Sequence, residues 1–421
     1  MRISIFGTGY VGSVTGICLA HWGHQVIFND IDTRKLDMIE KGRPPVYEPG
    51  LDDLLRKNKG HIATTDNPVQ AVQQSEISFI CVGTPSNGDG SINLQYVEQV
   101  CSDIGQAVAR KEGIHTVVVK STVIPGTTEG VVIPALEKQS GKKAGKGFSV
   151  VSNPEFLREG NAVHDFFNPD RVIIGAQDET SGELVKQLYS PVDCPKMITS
   201  LKTSEMIKYV SNAFLATKIS FANEIGNLCK VHGIDSYEVF QGVGMDARIN
   251  PAFFRSGIGF GGSCFPKDVR ALIEFAKTSG TERNILQAVI TTNEDQPKKL
   301  VQLLKRHLDI PGKTIGILGL AFKPGTDDIR ETRAIPVVRA LLDEKAHIIA
   351  YDPLAMDNFR REFPGISYAR TAEEVLAADA ILIVTEWPEF DRIDYTGKTV
   401  IDGRRVERAK KTAGMYEGVC W

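Results

Sequence analysis

The chain has 421 residues, with 49 Lys plus Arg against 52 Asp plus Glu and a formal net charge of −3. That length is a prior for about three domains, and the charge balance lacks the basic excess that nucleic-acid binding usually leaves. The composition, 42% hydrophobic and 24% charged, excludes a disordered or collagen-like chain, and no apolar run is long enough for a transmembrane helix.

Arg2 to Gly7 reads as a short apolar strand and Tyr10 to Trp22 as a helix that Gly23-His24 ends. Gln25 to Asn29 is a second strand, closed by Asp30-Ile31-Asp32. Gly7 and Gly9 interrupt the apolar start at once, so it is not a signal peptide. Strands over Ile77 to Val82, Thr116 to Lys120 and Phe148 to Ser152 then alternate with helical segments. That alternation predicts a parallel, doubly wound sheet. Gly141 to Gly147, with Lys142, Lys143 and Lys146, reads as a solvated loop.

From Thr203 to His232 there is no proline and no strand signal. Met206, Val210, Ala213, Phe214, Thr217, Phe221 and Ile225 recur at helical spacing. A helix of about 30 residues is about 45 Å long, which predicts a spine between domains and a dimer surface. More helix follows Pro266 and Glu282. Alternation returns with strands over Thr314 to Leu320, His347 to Tyr351, Ala380 to Thr385 and Thr399 to Ile401, and a helix over Ala334 to Glu344. The expected fold is therefore α/β: two Rossmann-like doubly wound domains joined by a helical domain with a long central helix. The boundaries are placed at 1–200, 201–300 and 301–421.

The seven cysteines are scattered and form no CxxC pair. Neither a metal site nor a disulfide framework is expected, and a reducing, cytoplasmic compartment fits.

Gly7-Thr8-Gly9-Tyr10-Val11-Gly12 matches G-x-G-x-x-G, ends a strand, opens a helix, and precedes Asp30 at the end of the next strand. The first glycine makes the tight turn, the second lets a pyrophosphate approach the backbone, and the third lets helix and strand pack closely. Phosphates then sit at the positive end of the helix dipole. Asp30 accepts hydrogen bonds from ribose hydroxyls and repels a 2′-phosphate, which predicts NAD rather than NADP. The second Rossmann-like half lacks this fingerprint. Gly316, Gly319 and Ala321-Phe322-Lys323-Pro324 replace it, and Lys323 reads equally as a phosphate contact or a solvent-facing lysine.

Gly259-Phe260-Gly261-Gly262-Ser263-Cys264-Phe265-Pro266-Lys267-Asp268 is the most informative segment. Gly261 and Gly262 allow close backbone approach to a ligand. Pro266 marks a first helical turn, so Cys264 falls at the helix N-terminus, where the dipole and Lys267 favour thiolate. Asp268 lies one turn on, and a nucleophile with a nearby carboxylate suits covalent catalysis. The plainer alternative is a small buried hydrophobe, which suits the other six cysteines. Lys208 and Asn212 are four apart on the long helix and together could stabilise an oxyanion. Glu155 and Glu159 flank Phe156-Leu157-Arg158, either as base and ligand contact or as helix N-terminal charges. Thr122 lies at the strand edge where ligands bind in open α/β sheets.

Assembled in order, these segments resemble the UDP-glucose/GDP-mannose dehydrogenase family over essentially the whole chain. The resemblance also rests on Tyr47-Glu48-Pro49-Gly50-Leu51, Val82-Gly83-Thr84-Pro85, Lys120-Ser121-Thr122-Val123 and Asn153 to Gly160. It implies a four-electron oxidation of a primary alcohol at C6 of a nucleotide-linked sugar, with two NAD reduced. Cys264 would trap the aldehyde as a thiohemiacetal and pass through a thioester that water hydrolyses.

By the same resemblance Asp268 assists proton transfer, Lys208 and Asn212 stabilise oxyanions, Glu155 is a base, and Thr122 holds a water. NAD contacts are implied for Val11, Asp30, Lys35, Thr84, Thr122, Glu159, Lys267 and Arg330, beside the glycine turn with Tyr10. Sugar-nucleotide contacts are implied for Glu155, Phe156, Leu157, Arg158, Glu159, Lys208, Asn212, Phe253 to Gly257, Gly261, Lys323 and Arg404. A homodimer built on the long helix is implied, with Arg248 reaching the other protomer's site. The Cys264 segment looks like the UDP-glucose branch, with GDP-mannose or another nucleotide sugar as the alternative substrate. Asn250, and Arg255-Ser256 before Gly257, depart from the family pattern and bear on sugar choice. Two other readings stand beside this one: a two-electron dehydrogenase with a structural Cys264, and a binding protein without turnover.

Overall fold

The computed structural model describes residues 1–421. Two compact units divide the chain, Met1–Ser211 and Asn212–Trp421. Their boundary in sequence falls inside one helix of 31 residues, Leu201–Val231.

The first unit is built on an eight-stranded sheet. Its strands are β1 (Arg2–Phe6), β2 (Gln25–Asn29), β3 (Ile62–Thr65), β4 (Ile77–Ile80), β5 (His115–Val119), β6 (Phe148–Ser152), β7 (Val172–Ala176) and β8 (Lys196–Thr199). They run in the order β3-β2-β1-β4-β5-β6-β7-β8. Every neighbouring pair is parallel except β6 with β7. The central strands are buried on both faces, so they read as continuous apolar runs. Ile3 and Ile5 of β1 pack into a core with Val14, Ile17 and Leu19, while Phe6 packs with Val97, Ile104 and Phe148 in a second core. The strand order reverses between β1 and β4, and ligands bind open α/β sheets at the carboxyl ends of strands beside such a reversal.

The second unit opens with the rest of the long helix and the helices Ser236–Gly244, Phe265–Thr278 and Asn284–Leu304. A six-stranded, all-parallel sheet follows. Its strands are β9 (Thr314–Leu318), β10 (His347–Tyr351), β11 (Ser367–Tyr368), β12 (Ala380–Ile383), β13 (Thr399–Asp402) and β14 (Met415–Gly418). The order β11-β10-β9-β12-β13-β14 repeats, strand for strand, the first six of the other sheet, and it is the Rossmann order.

The predicted long helix and the paired Rossmann folds are observed. Strands β3, β7, β8, β11 and β14 were not among the predicted elements. β3 and β8 are edge strands, half exposed and without a buried apolar face, and β11 has only two residues. β7 follows the six-residue helix Ala162–Phe167 and runs antiparallel to β6, so a reading that expects parallel strands joined by long helices passes over it. The long helix also inverts the usual polarity. Glu205, Lys208, Asn212 and Asn223 are buried on it, whereas Val210, Phe214, Phe221 and Leu228 are exposed. Of the apolar residues whose spacing predicted the helix, Ala213 alone is buried.

Candidate active site

The turn after β1 performs the three glycine tasks separately. Gly7 has φ +95°, which a side chain resists, and its N–H donates to Asn29 O at 2.9 Å. A Cβ at Gly9 would meet nothing within 4 Å, so the backbone there is open to a ligand. A Cβ at Gly12 would lie 1.9 Å from Gly7 O, so only glycine lets helix and turn touch. The helix Tyr10–His21 starts at Gly9 with no side-chain cap and no acid in its first turn. Its dipole is therefore unopposed where a phosphate would sit. Asp30 follows β2. Its Oδ2 accepts from the Thr8 N–H and hydroxyl, both at 2.6 Å, and Lys35 Nζ lies 3.9 Å away. The residues fit a dinucleotide.

Thr84 and Thr122, after β4 and β5, meet: the Thr84 hydroxyl donates to Thr122 O at 2.9 Å. Beyond β6 the chain carries Glu155, which is 7% exposed. Its Oε1 accepts from Lys208 Nζ at 2.9 Å and its Oε2 from the Leu157 N–H at 2.5 Å. Burial pushes this carboxyl up, but Lys208, the Leu157 N–H and Lys120 outweigh burial and hold it below the usual range. Phe156 lies under Arg171, whose guanidinium is 4.0 Å from the ring centroid. Arg158 is held by Asp165 at 2.9 and 2.6 Å. Glu159 closes the segment. Every one of these positions follows the carboxyl end of a strand, as the topology requires.

In the second unit, Cys264 is the residue at the N-terminus of the helix Phe265–Thr278, and Pro266 lies in the first turn. Asp268 N–H donates to Cys264 O at 2.9 Å, so thiol and carboxylate share one helical turn. The Asp268 carboxylate is 1% exposed and takes two donors, Asn212 Nδ2 at 2.7 Å and Lys267 Nζ at 2.5 Å. A buried carboxylate without such donors would be costly. Held this way, Asp268 is fixed in place one helical turn from Cys264.

Three family models match in order: the UDP-glucose/GDP-mannose dehydrogenase family's NAD binding domain over residues 1–193, its central domain over 202–295, and its UDP binding domain over 316–409. The chain belongs to this family. As a family member it is a nucleotide-sugar dehydrogenase, and its N-terminal domain is the one that binds NAD. It is 44% identical over 417 residues to UDP-glucose 6-dehydrogenase AglM of Haloferax volcanii, covering 96% of this chain and 97% of that one. It is 40% identical to GDP-mannose 6-dehydrogenase of Azotobacter vinelandii over the full length of both. Among solved structures, a UDP-glucose dehydrogenase from the hyperthermophilic archaeon Pyrobaculum islandicum matches with TM-score 0.97 and 44% identity, covering 100% of this chain and 98% of that one.

Several expectations for this dehydrogenase change on inspection. Lys208 and Asn212 each hold a carboxylate as well: Lys208 holds Glu155 and Asn212 holds Asp268. Gly261 and Gly262 are not simply open to a ligand. A Cβ on Gly261 would lie 2.4 Å from Glu331 O, and one on Gly262 would lie 2.8 Å from the Phe322 ring. The chain's own packing demands both glycines. The Tyr10 hydroxyl donates to Glu48, so only its backbone and ring remain for a cofactor.

The remaining predicted residues are placed as follows. Val11 sits half-buried in the first turn after Gly9. Arg330 grips Asp328 at 2.9 and 2.6 Å, and its carbonyl accepts the Gly262 N–H at 2.9 Å. Gly257 N–H donates to Asn223 Oδ1 at 2.8 Å. Arg404 donates to Val384 O at 2.8 Å, and Lys323 Nζ lies 5.6 Å from the Phe322 ring centroid. Arg248 is exposed and paired with Asp246 at 2.6 Å. Phe253 and Asn250 both take positive φ, 68° and 65°. Asn250 is thus a glycine-like position filled by a residue that tolerates the left-handed region.

Spacing did not single out Asn293. It is buried, accepts the Phe260 N–H at 2.7 Å and donates to Phe260 O at 3.0 Å, bracing the segment before Cys264 like a neighbouring strand. Glu205 was missed as well. Its carboxylate takes the Gly126 and Thr128 N–H groups at 2.6 and 2.9 Å, just beyond Thr122. No local pattern marks it, because its partners lie 79 and 77 residues away along the chain.

Proposed function

We propose that this dehydrogenase oxidises C6 of UDP-glucose to the carboxylate of UDP-glucuronate, through covalent intermediates on Cys264. The observation that carries the reading is Cys264 at a helix N-terminus with Asp268 held by Asn212 and Lys267 one turn away. The relatives named for UDP-glucose, and a Cys264 segment like that branch, support the sugar.

NAD, when bound, supplies the hydride acceptor, and two molecules per sugar carry the four electrons. Gly7, Gly9, Gly12, Tyr10 and Val11 would hold its phosphates, Asp30 and Lys35 its ribose end, and Thr84, Thr122, Glu159, Lys267 and Arg330 the remainder. The C6 alcohol first gives up its O–H proton and a C–H hydride, leaving an aldehyde. The thiolate of Cys264 adds to the aldehyde carbon, closing a C–S bond and leaving an oxyanion that takes a proton. Loss of the C–H hydride from this thiohemiacetal leaves a thioester. Water then breaks the C–S bond, giving the carboxylate and returning the thiol. Asp268 takes and returns the protons at sulfur and oxygen. Lys208 and Asn212 stabilise the oxyanions.

Glu155, ionised by Lys208 and Lys120, is a base for the incoming water, and Thr122 holds that water. Glu155 to Glu159, Phe253, Gly257, Gly261, Lys323 and Arg404 bind the sugar nucleotide. In this reading residues 1–200 bind NAD, 201–300 carry the thiol and the dimer surface, and 301–421 bind the nucleotide. The exposed Val210, Phe214, Phe221 and Leu228 on the long helix fit a homodimer in the cytoplasm, with Arg248 reaching the other protomer.

The test is NADH formed per UDP-glucose consumed to completion, for wild type and Cys264→Ser. The expected ratio is about two, with the variant slowed at least about a thousandfold. A ratio near one overturns the thioester route. Turnover of GDP-mannose without turnover of UDP-glucose overturns the sugar assignment and keeps the mechanism.

A further inference from the structure

The motif Tyr47-Glu48-Pro49-Gly50-Leu51 has no part in that mechanism, yet Glu48 is 5% exposed. Its carboxylate joins two segments far apart in the chain. Oε2 accepts the Tyr10 hydroxyl and, at 2.7 Å, the Gly160 N–H. Oε1 accepts the Ala162 N–H at 2.6 Å, at the start of the helix Ala162–Phe167. The Gly160 N–H also reaches the Tyr10 oxygen at 3.0 Å.

Tyr10 is the first helical residue after Gly9, inside the dinucleotide turn. Gly160 ends the segment that carries Glu155 and Glu159. One carboxylate therefore spans the turn that holds the cofactor and the segment that holds the acids. Burial first, then Glu48, holds the Tyr10 phenol well above its ordinary range, so it remains a donor at any working pH. All three donors are neutral, and a buried carboxylate needs each of them.

We propose that Glu48 is a positioning residue that fixes the Glu155–Gly160 segment to the dinucleotide turn, so that NAD binding at the turn orders that segment. The kinetic consequence rests on the roles proposed for Glu155 and Glu159, whereas the positional one rests on the geometry alone.

Amide hydrogen exchange on the full chain, with and without NAD, tests it in wild type, Glu48→Gln and Tyr10→Phe. In wild type NAD slows exchange at Gly160 and Ala162 about tenfold. Glu48→Gln places an amide donor against N–H donors. It speeds those two amides at least about tenfold, removes the NAD response, and leaves β1 and β5 protected. Tyr10→Phe keeps both amide bonds to Glu48 and cuts only the link, so it keeps slow basal exchange and loses the NAD response. At saturating NAD, Glu48→Gln lowers kcat by about tenfold to a hundredfold while NAD still binds.

The proposal is overturned by unchanged exchange at Gly160 and Ala162 in Glu48→Gln, or by faster exchange across the whole sheet. A full NAD response in Tyr10→Phe, or an intact kcat in Glu48→Gln with only NAD affinity lost, also overturns it. Should Glu48→Gln fail to fold, Tyr10→Phe decides alone. Failure to oxidise UDP-glucose would overturn the substrate reading and leave the exchange result standing.

Discussion

The two sheets share a strand order and a first turn, yet only one turn is open. In each, a glycine follows the first strand and donates to the end of the second: Gly7 to Asn29 O and Gly319 to Tyr351 O, both at 2.9 Å. In each, an aspartate after the second strand accepts the next N–H, Thr8 to Asp30 at 2.6 Å and Leu320 to Asp352 at 2.7 Å. The other oxygen of each takes the N–H two residues on, Asp32 to Asp30 and Leu354 to Asp352, both at 2.9 Å, and there the likeness ends. Gly9 faces open space, while Ala321 in its place spends its N–H on Asp352 at 3.0 Å and its carbonyl on the Thr385 hydroxyl at 2.6 Å. Asp352 is wholly buried and also takes Trp387 Nε1 at 2.9 Å. The Asp30 side chain keeps 9% exposure beside Lys35. One fold supplies a crevice twice, and the polar groups left over at the turn decide what can bind there.

The comparison breaks most severely at Gly12. Gly12→Ala drives a methyl group into Gly7 O, with Cys81 Cβ 3.1 Å away, and is expected to cost the first unit about 3 kcal/mol and abolish NAD binding. The second unit should keep its stability. Calorimetry read alongside hydrogen exchange separates the two, and equal loss in both units would show that the turn is not a local feature.

Gly9→Ala sharpens the contrast from the other side. The added methyl meets nothing in the protein, so stability should stay within about 0.5 kcal/mol. NAD affinity should fall about a hundredfold, near 2.7 kcal/mol, by titration calorimetry. Unchanged affinity would mean that the open face is not where phosphate lies.

Acid should act with opposite sign through one buried group in each unit. His115 in β5 is fully buried, and burial with Lys111 beside it pushes its imidazole down to about 3. The unfolded chain takes up that proton below about pH 6.5 and the folded one does not, so the His115 contribution to the first unit is lost as pH falls. Burial pushes Asp402, at the end of β13, up to about 6 despite its N–H donors. The folded chain protonates it first, so the Asp402 contribution to the second unit rises as pH falls toward the unfolded value. Between pH 7 and 5 the contributions are about 2 kcal/mol lost and about 1 kcal/mol gained. Local opening energies from exchange at both pH values check this, and His115→Asn should remove the loss.

The smallest effect is expected at Asp30. Asp30→Asn keeps an acceptor for Thr8, so the fold stands, while NAD affinity falls about tenfold and discrimination against NADP shrinks. Paired titrations with the two dinucleotides read it. An unchanged preference would place the discrimination elsewhere.

Much of this was legible along the chain because the carriers were local. G-x-G-x-x-G, the long helix and the Cys264 helix start each depend on residues within a few turns of one another. Where contacts come from far away, spacing says nothing. Glu48 bonds groups 38, 112 and 114 residues off, Asn293 reaches back 33 residues to Phe260, and Asp268 meets Asn212 across 56. The edge strands β3 and β8 were invisible for a related reason, since neither is buried enough to show an apolar period.

By itself the sequence determined the two Rossmann folds, the place of the open turn, and the position of the thiol at a helix start. Each follows from backbone sterics and hydrophobic period, which neighbouring residues set. Only the tertiary structure decided which polar group answers which. Lys208 serves Glu155 while Asn212 serves Asp268, Gly261 and Gly262 yield to Glu331 and Phe322, and Asp352 is sealed in where Asp30 keeps some exposure. A buried hydrogen bond is made by whichever donor the fold brings within 3 Å or so, and the order of residues along the chain does not carry that distance.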